Sequence, residues 1–189
     1  MRIITGSAKG IRLNAPRGLG TRPTADRVKE SVFNILGDIV LEARVLDIFA
    51  GTGNLGLEAL SRGAASAVFV DSNIDSIAAI KENARRTQLI GQTEIVKSDV
   101  MRALDRFEGT GRRFELIFCD PPYNQGSVQK VLRKIEETFI VMPGGVLVIE
   151  HSKHEEITGL GDSLEVRRVE RYGETVISFL LYHAKQEVK

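Results

Sequence analysis

From residue 44 onward, short apolar runs alternate with stretches in which apolar residues recur every three or four positions. "RVLDIFAG", "ASAVFVD", "TEIVKSD", "FELIFCD" and "GGVLVIEH" are brief, rich in β-branched residues and bounded by glycine or acid. That pattern predicts strands buried on both faces. Between them, "NLGLEALSRG" and "NIDSIAAIKENARRTQ" have helical spacing, the second placing Ile74, Ile77, Ile80 and Ala84 on one face. Further helices are predicted near 100–107 and over 125–138. Strand and helix in alternation imply a mostly parallel sheet covered by helices, a Rossmann-like α/β fold. The tail, "SLEVRRVERYGETVISFLLYH", offers two strand-like runs joined by a tight turn near Gly173. With no crossover helix between them they must pair antiparallel, which brings the sheet to seven strands.

The first 38 residues follow a different rhythm. Two β-prone stretches, near 2–5 and 10–14, flank "GSAKG" and predict a hairpin. A Gly/Pro-rich loop, "APRGLGTRPT", leads into "ADRVKESVFNIL", where Val28, Val32, Ile35 and Leu36 share a helical face that ends at Gly37. We therefore expect an N-terminal extension over 1–38 and a main domain over 39–189. Charge adds to this division. The 189 residues sum to only +1, yet residues 1–30 hold Arg2, Lys9, Arg12, Arg17, Arg22, Arg27 and Lys29 against Asp26 and Glu30. A basic arm on a near-neutral body suits nucleic acid, and a solvated surface suits the charge equally.

Other classes recede. No apolar run approaches the roughly 18 residues of a membrane span, and the opening residues lack the apolar core of a secretion signal. The single cysteine, Cys119, allows no internal disulfide, and no Cys/His cluster suggests a metal. His151, His154 and His183 are scattered, as surface or strand-end residues would be. A cytoplasmic protein without a metal is expected.

A parallel sheet closed by an antiparallel hairpin is the layout of class I methyltransferases, and the loop after the first strand bears on that. "LDIFAGTGNLGLEAL" spaces Gly51, Gly53 and Gly56 as G-x-G-x-x-G, letting backbone approach a ligand at a helix N-terminus. Asp71 closes the next strand, placed for ribose hydroxyls. An NAD-binding domain would share both features. Asp47, four residues before the first glycine, weighs against a pyrophosphate and could face the amino group of S-adenosylmethionine. Asp99, in "VKSD", is placed for an adenine amine. Three acids at strand ends, with no basic residue in the loop, favour a cofactor without phosphates. Each acid alone could be a helix cap.

The fourth strand ends in "DPPY". An exocyclic amine on a nucleobase is a poor nucleophile because its lone pair is delocalised into the ring. Asp120 and the carbonyl of Pro121 can accept its two N–H bonds and turn the lone pair towards a methyl donor. The paired prolines fix the backbone that carries those acceptors, and Tyr123 can stack on the base. A base must leave its stack to reach such a loop. Cys119 is expected to pack rather than react.

With "RIITGSAKGIRL", "TRPTADRVKESVFNIL", "DIFAGTGNLGLEAL", "DPPY" and "RYGETVISF" in order, the chain resembles the RsmD family of bacterial 16S ribosomal RNA guanine-N2 methyltransferases over nearly its whole length. The resemblance implies a monomeric, metal-independent enzyme using S-adenosylmethionine on one guanine of 16S rRNA in a small-subunit particle, with contact to ribosomal proteins an added expectation and no membrane partner. It implies that Asp47, Gly51 and Gly53 line the methionine end of the cofactor. Asp71 corresponds to the ribose contact, Asp99 to the adenine contact, and Arg22, Pro23 and Thr24 to the segment closing over the cofactor. Asp120, Pro121 and Tyr123 correspond to the amine site. Arg2, Lys9, Arg12 and Arg17, with Tyr123, are the expected RNA contacts. Thr5 stands where the family often has glycine, and Asp71 where glutamate is common. D-P-P-Y alone also fits an adenine-N6 methyltransferase of DNA or RNA. The NAD-dependent oxidoreductase remains a distant alternative, with no hydride-transfer residues in view.

Overall fold

The structure, a computed structural model, describes residues 1–15 and 23–184, with side chains from Asp26 onward in the second stretch. Arg17 and Arg22 lie outside the described residues, and Pro23 and Thr24 are described only as helical backbone. Seven strands form one sheet in the order β3-β2-β1-β4-β5-β7-β6. The chain divides into two compact units, Met1–Val100 and Met101–Lys189.

In the first unit, α1 (Pro23–Leu36) precedes β1 (Arg44–Ile48), α2 (Asn54–Ser61), β2 (Ser66–Asp71), α3 (Ile74–Arg86) and β3 (Thr93–Lys97). Parallel pairing joins β1 to β2 and β2 to β3, with Asp47 opposite Phe69 and Asp71 opposite Lys97. Val45, Leu46 and Ile48 of β1 and Phe69 and Val70 of β2 are fully buried. This explains why these runs read as continuous apolar stretches rather than alternating ones. Asn73 caps α3 by accepting the Asp75 N–H at 2.7 Å. Helical spacing was a fair guide to α3 except at its first residue. Ile80 and Ala84 are buried, but Ile74 is 58% exposed, because that residue sits at the capped end before the buried stripe begins.

The second unit holds α4 (Val100–Gly109), β4 (Phe114–Cys119), α5 (Ser127–Glu137), β5 (Val141–Ser152), β6 (Leu164–Tyr172) and β7 (Thr175–Tyr182). Strands β4 and β5 are parallel, whereas β7 pairs antiparallel with both β5 and β6. The predicted tail hairpin is thus β6–β7. Edge strand β6 is mostly exposed and studded with Glu165, Arg167, Arg168 and Glu170, the charges that discourage edge-to-edge pairing. His151, expected at a surface or strand end, is buried near the end of β5 and bonds Ser178 Oγ at 2.9 Å. Among the described residues no helix is long and apolar enough to cross a membrane.

The N-terminal hairpin forms with less sheet than its sequence suggests. Two β-prone stretches pair through a single antiparallel bridge, Arg2 opposite Arg12, with Ile3 and Ile11 joined by a backbone bond of 2.9 Å. Other donors of this arm are committed elsewhere. Ile4 and Thr5 give their N–H groups to the Glu58 carboxylate at 2.7 and 3.0 Å, and Ser7 gives its own to the Ser61 carbonyl at 2.8 Å. The arm is therefore stitched to α2 instead of extending a ladder. Gly6 makes the fit possible: its φ is +89°, and a Cβ there would lie 1.7 Å from the Ser61 carbonyl oxygen.

Candidate cofactor loop and amine-site loop

The cofactor loop lies wholly within the first unit. After β1 the backbone enters positive φ at Phe49, Gly51 and Gly53 before α2 begins at Asn54. The Gly51 N–H donates to Asp71 Oδ2 at 2.9 Å, and the Asn73 N–H donates to Asp71 Oδ1 at 2.8 Å. One carboxylate thus ties the glycine turn to the start of α3, and each oxygen keeps a free lone-pair direction for a hydroxyl donor. A Cβ on Gly51 would meet nothing closer than 4.0 Å, so this turn has an open side that backbone alone borders. Gly56 is different: a Cβ there would fall 2.3 Å from the Phe69 ring, so the third glycine serves the packing of α2 on β2.

Asp47 is buried and accepts the Gly56 N–H at 2.9 Å. Burial pushes its carboxyl up to about 8; the Gly56 bond opposes that rise and the nearby charge of Asp71 adds to it. The sign of the pH effect follows. Between the ordinary carboxyl value and about 8, folded Asp47 keeps a proton that the unfolded chain has lost. Stability therefore declines as pH rises through that window. Asp47→Asn should lack this decline and gain on the parent between pH 5 and pH 8, read as urea midpoints. Parallel pH profiles for the two proteins would contradict the assignment. Asp99 follows β3 and is exposed; the preceding Ser98 donates its N–H to the Asp71 carbonyl at 3.1 Å.

The donor set tests which cofactor fits. "FAGTGNLG" contains no basic residue, the acids Asp47, Asp71 and Asp99 all attend β1–β3, and the turn is open at Gly51. The charged carboxylates Asp71 and Asp99 suit ribose hydroxyls and amines and repel phosphates, while buried Asp47 holds its proton and supports the turn through Gly56. S-adenosylmethionine fits this chemistry and a dinucleotide does not.

The amine-site loop belongs to the second unit. Strand β4 ends at the buried Cys119, then Asp120 is exposed, Pro121 buried and Tyr123 half-buried. The Tyr123 hydroxyl donates to Glu150 Oε1 at 2.5 Å and lies 3.2 Å from Thr175 Oγ1. Burial, and then the bond to Glu150, hold the phenol above its ordinary value, while burial also raises the Glu150 carboxyl. Its hydroxyl is pinned by β5 and the start of β7, which fixes where the far end of the ring sits.

Sequence reasoning missed three residues that organise these loops. Glu150 is 27 positions from Tyr123, too far for any local pattern. Asn83, fully buried on α3, donates to the Thr52 carbonyl at 3.0 Å and to the Asn14 carbonyl at 2.9 Å, joining loop to arm. A polar residue beside Ile80 and Ala84 on an apolar face was the available signal. Third is Glu58, fully buried 3.0 Å from Lys29 and 2.8 Å from Arg62. Lys29, counted above as part of a basic surface, is itself only 2% exposed. Arg2, Lys9 and Arg12 are exposed.

Comparison with known proteins agrees with this chemistry. The family described as conserved hypothetical protein 95 matches residues 1–181. YlbH of Bacillus subtilis, provisionally named an rRNA methyltransferase, is 39% identical over 178 residues, spanning 94% of this chain and 97% of that protein. Ribosomal RNA small subunit methyltransferase D of Escherichia coli is 34% identical over 150 residues, which is 79% of this chain and 74% of that protein. A solved structure of Escherichia coli yhhF, provisionally called a methyltransferase, has a TM-score of 0.88 at 29% identity and covers 98% of this chain and 99% of its own.

Proposed function

Since the chain belongs to the RsmD family of S-adenosylmethionine-dependent rRNA methyltransferases, we propose that its acceptor is the exocyclic N2 amine of one guanine in 16S rRNA, met within a small-subunit particle. The observation that carries the amine reading is the D-P-P-Y loop, with Asp120 exposed at the end of a buried strand and Tyr123 locked by Glu150.

Asp120 accepts one N–H of the amine and the Pro121 carbonyl the other, which draws the nitrogen lone pair out of conjugation. Tyr123 offers its face to the base; such stacking is worth roughly 1–3 kcal/mol. Glu150 holds the hydroxyl end of that ring in place. S-adenosylmethionine, when bound, supplies an electrophilic methyl group on a sulfonium. As the nitrogen gains a carbon it sheds a proton, which the Asp120 carboxylate takes and releases to water. In the first unit Asp71 and Asp99 hold ribose and adenine, Gly51 and Gly53 border the methionine end, and Asp47 steadies the loop through Gly56. Holding both reactants in line supplies much of the acceleration. The arm grips RNA phosphates, and its contacts weaken as salt rises.

Labelled S-adenosylmethionine offered with unmodified small subunits, matched naked 16S RNA and unmodified DNA tests the reading. We expect label in N2-methylguanosine after digestion to nucleosides, with the particle the better acceptor. Label in N6-methyladenine would keep the amine chemistry and overturn the guanine assignment. Better transfer to naked RNA would overturn the particle.

A further inference from the structure

We infer that a cleft between the N-terminal arm and the end of α3 holds a phosphodiester of the acceptor strand, with Arg86 completing a three-guanidinium site. That the strand is RNA rests on the function proposed above. The cleft lies wholly within the first unit, encloses about 480 Å³, and is lined by Arg2, Arg12, Asn14, Asp26 and Arg86 among others.

Arg2 and Arg12 are direct partners across the arm's single bridge. Residues so placed project from the same face with Cβ atoms about 5 Å apart, and like charges there repel. The arm accepts that cost at a position where most other pairs would stabilise it. The third guanidinium reaches the same cleft from another element: Arg86, in the last turn of α3, donates to Asn14 Oδ1 at 2.9 Å. Asn14 does not swing freely. Its N–H is bound by Asn83 Oδ1 at 2.7 Å, its carbonyl accepts from Asn83 Nδ2 at 2.9 Å, and Asn83 is fully buried. Arg86 is thus set on a rigid mount.

Asp26 is the one carboxylate lining this cleft among the described residues, and it lies 3.7 Å from Arg2 in a loose pair whose arginine is exposed and whose carboxylate is half-buried. Such pairs contribute little. Three guanidiniums against one lining carboxylate leave a positive surplus, offset in part by Glu82, which accepts from Asn14 Nδ2 beside the cleft, and the apolar lining is confined to Met1 and Leu13. Planar forks of this kind match phosphate oxygens. A strand backbone fits these features; a base or an acidic peptide side chain would use fewer of them.

The test is binding of unmodified small subunits across a series of KCl concentrations. Arg86→Gln should weaken binding about fivefold at moderate salt and flatten the log–log salt slope by about 0.7–0.9, the loss of one phosphate contact. Asp26→Asn should act in the opposite direction and tighten binding by about threefold, because Arg2 is released to the phosphate. A damaged arm cannot tighten binding, so the second variant separates electrostatics from misfolding. An unchanged salt slope for Arg86→Gln, or no tightening for Asp26→Asn, overturns the cleft assignment. If the slope falls as expected while wild-type enzyme methylates no RNA, the cleft stands and the rRNA reading falls. If methylation proceeds and neither variant changes binding, the reading stands without the cleft.

Discussion

Asp120→Ala is expected to cut methyl transfer to small subunits by about a thousandfold while leaving the dissociation constant for S-adenosylmethionine within about twofold, a loss of the size seen when one preorganised hydrogen-bonding group is removed from a reacting centre. The division follows from where the residues lie. Asp47, Gly51, Gly53, Asp71 and Asp99 all come from residues 1–100, whereas Asp120 follows β4 in the second unit. Its carboxylate is exposed at the end of a strand whose last three residues are buried, so truncation removes an acceptor without opening the core. Asp120→Asn keeps one acceptor oxygen but cannot take the proton, and should fall between alanine and the parent. Tyr123→Ala should cost less, since stacking is worth roughly 1–3 kcal/mol per base, and Tyr123→Phe less again, losing the Glu150 tether but retaining the ring. Single-turnover rates with saturating particle give the ordering. An Asp120→Ala rate within tenfold of the parent would remove this carboxylate from the amine site.

Much of this could be read from the residues alone, and the reasons differ by region. From β1 to β7 the period of the apolar pattern changes cleanly between strand and helix, and Gly or Asp marks several of the ends, as Asp71 does for β2, Asp120 for β4 and Gly173 for β6, so local pattern and tertiary packing agree. The tail hairpin was legible because Gly173 leaves no length for a crossover. Ile74 was misjudged because helical spacing cannot say where a capped end leaves the core. The arm was legible as a hairpin but not as a bridge, since the acceptors for Ile4 and Thr5 sit on Glu58, more than fifty residues away. Lys29 was counted as surface because lysine is nearly always there. Its neighbours on α1, Val28, Val32 and Phe33, are all buried and could have warned otherwise. Chemistry written into short motifs, G-x-G-x-x-G and D-P-P-Y, was visible; the side chains that brace those motifs from afar were not.

The largest stability effect is expected at Glu58. One fully buried carboxylate faces Lys29 at 3.0 Å and Arg62 at 2.8 Å, and accepts the N–H groups of Ile4 and Thr5. Lys29 reaches onward, donating to the Arg2 carbonyl and to Asn54 Oδ1, each at 2.7 Å. Burial lowers the Lys29 ammonium below its ordinary value, and Glu58 opposes that shift. Glu58→Gln keeps the shape and one acceptor but strands a buried cation, and breaking such a pair costs about 3–5 kcal/mol. Against a total of roughly 5–15 kcal/mol this is a large share. With its counter-charge gone, Lys29 is depressed further, so between that lowered value and the ordinary lysine value the folded variant binds fewer protons than the unfolded chain. Its stability should then rise with pH towards the ordinary lysine value. Urea midpoints at pH 7 and pH 9.5 should show the gap to the parent narrowing, and adding Lys29→Met should recover part of it, the mark of two coupled groups. A loss below about 1 kcal/mol at both pH values would mean the buried pair is not what seats the arm. Because Asn54 opens α2 directly after the glycine turn, the same variant should also weaken S-adenosylmethionine binding. The N-terminal arm and the start of α2 after the glycine turn are both tied to this one buried pair.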